Sequence, residues 1–314
     1  MQCLVSGQNF AALLSSCFIK LLMKVFVTGA SGFVGSAVVQ ELLKAGHQVR
    51  GLARSDESAR ELEAAGAEVF RGSIDDPESL TRGATDVDGV IHTAYNHNFA
   101  EYEQAGQTDE QAIRALGKAL AGTNKPLIAT SGLAGLAQGR PSTEDDTPGP
   151  SPRRSEPAAL ALVAQGVQAM VVRLAASVHD AGDHGFVPYL IQVARDKGKA
   201  AYIGAGLNHW PAVHRLDAAH LYRLALENGE AGARYHGVGD QGITLREIAE
   251  EIGRHLHVPV VSITTEEAAD HFGWMARFAG LDMLATNQLT QERLGWHPTY
   301  MGLLADMDVN YFGK

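Results

Sequence analysis

Met23-Lys24-Val25-Phe26-Val27-Thr28-Gly29-Ala30-Ser31-Gly32-Phe33-Val34-Gly35 is the stretch that decides the fold. Residues 24–28 are a β-branched and aromatic run, which favours a strand. The run ends at Gly29, and Gly32 and Gly35 follow at steps of three. From Phe33 a helical pattern begins, with Val34, Val38 and Leu42 on one stripe and Val39 and Leu43 beside it. A buried strand, a glycine turn and a helix N-terminus together make an anion site. Gly29 permits the tight turn, Gly32 lets a pyrophosphate approach the backbone, and Gly35 lets helix and strand pack closely. Exposed N–H groups and the positive end of the helix dipole then face the phosphates. The plainer interpretation is a strand–turn–helix whose glycines serve geometry alone. The strand before and the helix after favour a dinucleotide site.

Working outward, strands and helices alternate. Residues 49–53 read as a second strand, 57–65 as a helix closed by Gly66, and 68–71 as a third strand. Pro77 opens a short helix, and residues 89–93 form the fourth strand. Thr108 to Gln111 has capping-box form ahead of a helix through Ile113, Leu116 and Leu120. Residues 126–130 read as the fifth strand, 155–165 as a helix and 170–174 as the sixth strand. The alternation implies an α/β fold, a doubly wound parallel sheet with ligands at the carboxyl ends of its strands.

With 314 residues, 45% hydrophobic and 20% charged, the chain can bury a full core. A formal charge of −10 argues against a nucleic-acid partner, which normally requires a basic face. The two cysteines, Cys3 and Cys17, both precede the glycine motif, so from Met23 onward there is neither a disulfide framework nor a thiolate metal site. That suits a cytoplasmic protein. Before Met23, the apolar residues 10–14 and 18–23 are interrupted by Ser15, Ser16 and Cys17, too short a tract for a membrane span. The first positive charge, Lys20, lies on the wrong side for a signal peptide. Residues 1–22 are therefore expected to be an extension the fold does not need.

The glycine motif and a series of later stretches resemble one family. Thr28-Gly29-Ala30-Ser31-Gly32-Phe33-Val34-Gly35, Ile91-His92-Thr93-Ala94, Thr130-Ser131 and Arg173-Leu174 are similar, in order and spacing, to landmarks of extended short-chain dehydrogenase/reductases. Trp210 to Asp217 and Leu294-Gly295-Trp296-His297-Pro298 resemble the late landmarks of that group, which holds sugar epimerases, dehydratases and dihydroflavonol-type reductases. The resemblance runs from Met23 nearly to the end. It implies a Rossmann domain over residues 23–178 and a smaller, interleaved substrate domain over 179–314, with 212–239 returning to the first. It also implies cofactor contacts from Gly29, Ser31, Gly32, Phe33, Val34 and Gly35 at the turn. Arg54 and Ser55 would serve the ribose, and Ser73 and Ile74 the adenine. Thr93, Ala94, Tyr95, Ser131 and Arg173 complete the implied set.

NAD-users of this kind place an acidic residue at the end of the second strand, where it binds the ribose hydroxyls. Here Ala53 stands there, followed by Arg54 and Ser55. A guanidinium grips a 2′-phosphate bidentately, and no carboxylate repels it. NADP is therefore the expected cofactor, against the alternative of a solvated surface arginine. Ser73 departs from the acidic residue common at its place.

The family's usual catalyst is a tyrosine with a lysine four residues later, the lysine lowering the tyrosine pKa. None of the eight tyrosines here has that lysine, and counting back from Glu156 puts Pro148 and Pro152 at the two positions. Ser131 survives, as a catalyst or as a strand-end hydrogen-bonder, and Tyr95 is either a proton donor beside the nicotinamide or a packed aromatic. His92, Asn96, Ser177 and His179 are further polar groups near strand ends. His179-Asp180-Ala181-Gly182-Asp183-His184 has metal-ligating side chains but no ligand periodicity, so no metal is expected. His214 and Asp217 read as capping and packing groups. Arg153 and Arg154 read as solvated charges at a helix start. Residues 244–256 form an amphipathic helix, and 264–279, with Phe272, Trp274, Met275 and Phe278, read as core, as the wall of an apolar pocket or as a face between two copies in a homodimer. With no basic cluster for a diphosphate, the expected function is NADP-dependent reduction of a carbonyl-type small molecule. The rivals are an NAD-dependent sugar-nucleotide epimerase or dehydratase and a catalytically silent NADP-binding regulator.

Overall fold

The structure, a computed structural model, describes residues 22–97, 101–137 and 139–313. The segment expected to be dispensable, residues 1–22, lies outside them except for its last residue, the exposed Leu22. The strands are β1 (Lys24–Thr28), β2 (Gln48–Ala53), β3 (Glu68–Arg71), β4 (Gly89–His92), β5 (Pro126–Gly132), β6 (Gln168–Leu174), β7 (Ser177–His179), β8 (Ala200–Ile203), β9 (His209–His214), β10 (Arg234–Gly237), β11 (Asp240–Thr244) and β12 (Val260–Ile263). Seven of them make one sheet in the order β10-β6-β5-β4-β1-β2-β3, and every pairing in it is parallel. The order reverses between β1 and β4, so a crevice opens at the carboxyl ends of those two strands. β7 leaves this sheet to pair with β9, which also carries β11, and β8 pairs with β12.

The helices that position the crevice are α1 (Phe33–Lys44), α2 (Asp56–Ala65), α3 (Pro77–Gly83), α4 (Tyr102–Leu120), α5 (Ser155–Leu160), α6 (Phe186–Lys197), α7 (Arg215–Asn228) and α8 (Leu245–Leu256). Alternation along β1 shows how the sheet is sandwiched. Val25 and Val27 face a core shared with Val38 and Leu42 of α1 and Leu221 and Tyr222 of α7. Phe26 faces the other way, onto Leu80 of α3 and Ile113 and Leu116 of α4. Each such fully buried side chain contributes about 1.5–3 kcal/mol relative to exposure. A third core gathers Leu190 and Ile191 of α6, Ile248 and Ile252 of α8, Trp210 and Phe272. The amphipathic helix expected near 244–256 is α8, opened by a reciprocal Thr244–Glu247 capping box. Among the described residues, no helix is long and apolar enough to cross a membrane.

Two local expectations are corrected. α4 begins at Tyr102, so Thr108 to Gln111 lies inside the helix instead of capping it. Asp109 is instead a buried cross-link, accepting from Ser155 Oγ at 2.5 Å and meeting His92 Nε2 at 3.0 Å. The helix expected over 155–165 stops at Leu160. A short 3₁₀ turn, Val163–Gln165, follows and ends at Gly166 with φ 72°, a conformation that suits glycine.

Candidate active site

The glycine turn has little tolerance for side chains. Gly29 sits at φ 66°, and a Cβ there would lie 2.7 Å from the Ala94 nitrogen. A Cβ on Gly35 would collide with the Gly29 carbonyl, which is what brings α1 against the strand ends. Gly32 caps α1 without any side-chain hydrogen bond, and no acidic residue occupies the first helical turn. The N–H groups there and the helix dipole are thus left for an anion. A backbone cradle that any Cβ would fill, at the switch point of a parallel sheet, fits a nicotinamide dinucleotide.

From this turn a cleft of about 1060 Å³ runs along the strand ends. Gly29, Ser31, Gly32, Phe33, Val34 and Gly35 line one end of it. Arg54, Ser55, Ser73 and Ile74 line it too, as do Thr93, Ala94, Tyr95 and Ser131. Arg54 is exposed and bound to no described residue. Ser55 caps α2, accepting from Ser58 N at 3.2 Å, and Ser73 Oγ donates to Asp75 at 3.1 Å.

Arg173 does not belong to this set. It is wholly buried, and its Nε and Nη2 each donate to Glu156 at 2.7 Å. Nη2 also donates to the Asp146 carbonyl at 2.7 Å, and Nη1 lies 3.2 Å from His236 Nε2. Arg234 adds a second cation to Glu156 at 2.7 Å. Burial works to raise the Glu156 pKa, but the hydrogen bonds from Arg173 and Arg234 outweigh it and hold the carboxylate ionised. Burial also lowers the His236 pKa to about 4. A neutral imidazole donating from Nδ1 to the Thr286 carbonyl at 2.7 Å then accepts from the guanidinium. A charge so fully paired braces β6 against β10 and the 143–146 segment; Glu156 reaches the cleft lining, but Arg173 does not.

Of the other polar residues near strand ends, Ser177, Asp183 and His184 line the cleft, while His92, His179, Asp180, His214 and Asp217 do not. His92 is held between Thr28 Oγ1 (2.6 Å) and Asp109. His179 Nδ1 meets Asp306 at 2.8 Å, Asp180 pairs with Arg215 at 3.0 Å, and Asp183 accepts from Tyr311 Oη at 2.6 Å. His214 caps α7, accepting from Leu216 N at 3.2 Å, and Asp217 accepts from Thr299 N at 2.8 Å. The residues 179–184 therefore point to separate partners and do not converge on a metal. Among the described residues, the grouping with ligand spacing is Glu251, His255 and Asp308. Arg254 already binds both of those carboxylates, at 2.5 and 2.8 Å.

Ser131 and Tyr95 both face the cleft. The Tyr95 hydroxyl is buried and has no hydrogen-bond partner among the described residues. Burial pushes its pKa up to about 12, with the nearby Arg153 cation working against the rise. Arg153 is the residue sequence reasoning misplaced. Instead of being solvated, it lines the cleft, lies 4.3 Å from the centre of the Tyr95 ring and donates from Nη2 to the Thr130 carbonyl at 3.0 Å. The loop carrying it folds back onto α4, where the Pro152 carbonyl packs on Gly106 so tightly that a Cβ would collide. That interior helix glycine was the available signal. Arg154 behaves as a surface charge, paired with Glu103 and Glu110.

The far end of the cleft is aromatic. Phe186 and Tyr189 of α6 meet Trp274 and Phe278, with ring centroids 5.1 Å apart for Phe186–Phe278 and 4.9 Å for Tyr189–Trp274. Within the apolar stretch noted in the sequence, Trp274 and Phe278 face the cleft, whereas Phe272 and Met275 are buried in the third core.

Known proteins resemble the chain along most of its length. The model of the NAD dependent epimerase/dehydratase family matches residues 25–238. An uncharacterized protein of Schizosaccharomyces pombe is 49% identical over 289 residues, which is 91% of this chain and 98% of the relative. A 4-hydroxy-2-methyl-3-oxo-4-farnesyl-3,4-dihydroquinoline-1-oxide ketoreductase of Stigmatella aurantiaca is 28% identical, covering 80% of each chain. In fold, the chain is similar to the dTDP-glucose 4,6-dehydratase DesIV of Streptomyces venezuelae, solved with NAD bound, at a TM-score of 0.73 and 21% identity over 91% of this chain and 97% of that one. The chain belongs to the NAD dependent epimerase/dehydratase family, among the extended short-chain dehydrogenase/reductases, and lacks their usual tyrosine–lysine pair.

Proposed function

We propose that the protein is an NADP-dependent oxidoreductase that reduces the carbonyl group of an apolar or aromatic small molecule. The observation that carries this reading is the continuity of one cleft from the glycine turn to the wall of Phe186, Tyr189, Trp274 and Phe278. A sugar nucleotide would need cations for its diphosphate beyond the cofactor's own site. The arginines lining the cleft are Arg54, at the ribose end, and Arg153, against Tyr95. Arg54 beside Ala53, with no carboxylate at the end of β2, supports NADP over NAD. In this reading residues 179–314 are mainly the substrate-binding part.

When bound, the reduced dinucleotide supplies a hydride. Ser131 Oγ donates a hydrogen bond to the substrate carbonyl oxygen, and Tyr95 Oη gives the proton that the resulting alkoxide takes up. Tyr95 stays protonated at neutral pH, as a donor must. The aromatic wall excludes water and orients the apolar body of the substrate. A panel of aryl and alkyl ketones, aldehydes and imines, followed by NADPH absorbance, tests the reading. Oxidation of NADPH by aryl ketones or aldehydes supports it. Turnover confined to nucleotide sugars, or tight NADPH binding with no oxidation across the panel, overturns it.

A further inference from the structure

Two buried polar atoms without partners among the described residues lie in one contact pair at the cleft. They are the Tyr95 hydroxyl and the Arg153 Nε. Buried polar atoms normally have partners, and exceptions call for a reason. If Arg153 served only to tie its loop to β5, the Nη2 bond to the Thr130 carbonyl would be enough, and desolvating Nε–H would cost stability with no return. The guanidinium instead covers the face of Tyr95, and Thr130, the residue it holds, directly precedes Ser131. A guanidinium keeps its charge at any working pH, so it cannot be the acid. It can set the charge balance of its neighbour.

We propose that Arg153 is a positioning residue that acts through Tyr95, supplying the fixed positive charge that the absent lysine supplies elsewhere in the family. The inference rests on the reductase reading. In the step concerned, the carbonyl carbon gains a hydride from the reduced nicotinamide and its oxygen gains the Tyr95 proton. The phenolate left behind faces the Arg153 cation until solvent returns a proton. Burial of Tyr95 opposes forming that phenolate, and Arg153 offsets the opposition. The charge arrives from a proline-flanked loop, one residue past the position where the lysine would stand.

The test reads Tyr95 ionisation directly and activity separately. In protein labelled with 3-fluorotyrosine, the Tyr95 fluorine signal is the one lost in Tyr95→Phe. Its titration midpoint should rise by roughly one pH unit or more in Arg153→Met and return most of the way in Arg153→Lys. On a neutral ketone, Arg153→Met should lower kcat about 10²-fold, the scale of a mispositioned acid. KM and the NADPH dissociation constant, read by cofactor fluorescence, should stay within about threefold. Arg153→Lys should recover about tenfold of the lost kcat. An unmoved Tyr95 midpoint in both variants, or a loss confined to KM or to NADPH affinity, overturns the role. If the methionine variant does not fold, the lysine variant decides: a midpoint and kcat equal to those of Arg153→Ala overturn it. Absence of any carbonyl reduction by the unmutated protein counts against the reductase reading, whereas an unmoved midpoint counts against Arg153, so the two failures are separate.

Discussion

The two ends of the cleft are built from different material. At the dinucleotide end the surface is mostly backbone: Gly29 at φ 66°, the uncapped first turn of α1, and glycines with no room for a Cβ. At the substrate end the surface is side chain, drawn from α6, from residues 274–278 and from the loop carrying Arg153. A backbone site is specified by a dozen consecutive residues, and any change to it meets main chain that cannot yield. A side-chain site is assembled across long sequence separations and can be altered one wall at a time. Cofactor binding should therefore fail abruptly on substitution, and substrate handling by degrees.

The largest expected effect is at the turn. Gly35→Val places two further carbons where one already collides with the Gly29 carbonyl. It should cost about 1–3 kcal/mol of stability or more and reduce NADPH affinity beyond about 100-fold, measured by thermal melting and cofactor fluorescence. A folded variant with normal affinity would break the comparison at its firmer end.

Next in size is Arg54→Ala. Removing one charge-assisted clamp is worth on the order of 1.5–3 kcal/mol, so the preference for NADPH over NADH should shrink by most of that amount. NADH affinity should hardly move. Equal affinities for the two cofactors in the unmutated protein would contradict the assignment of this end to NADP.

The smallest effect concerns pH and belongs to the other end. The active form of Tyr95 as a donor is protonated, and its pKa is pushed up to about 12 by burial. Below that value the acid is intact, so kcat for reduction should vary less than about twofold from Tyr95 between pH 6 and 9.5. A basic limb near the ordinary tyrosine value that vanishes in Tyr95→Phe would show that the hydroxyl is better solvated than the structure has it.

How far the sequence could be read follows the same division. β1, the glycine turn and α1 are local, and propensity with three-residue glycine spacing is enough to place them. Six strands of the parallel sheet followed from the alternation of elements, and the seventh, β10, was expected only through the resemblance that returned 212–239 to the first domain. Asp109 was harder to place: Thr108 to Gln111 looks like a capping box, but the carboxylate is claimed by His92 and Ser155 from other parts of the chain. Arg173 was assigned to the cofactor through resemblance, and its actual partner, Glu156, becomes apparent only when β6 and α5 are side by side. For the same reason Arg153 next to Tyr95 had only an indirect sign in the sequence, the interior helix glycine Gly106 on which its loop packs. Trp274 and Phe278 were legible as bulky apolar residues, while their meeting with Phe186 and Tyr189 required the third core to be folded.

The most direct measurement combines both ends in one protein. The Ser131→Ala, Tyr95→Phe double variant is compared with each single variant, reading the NADPH dissociation constant and the single-turnover rate on the best ketone of the panel. The expected result is an affinity within about threefold of the unmutated protein and a rate lower by roughly 10²–10⁴, with the two losses non-additive because the groups act together. Turnover that survives the double substitution would contradict the account, because Ser131 and Tyr95 would then be structural and the proton would come from elsewhere.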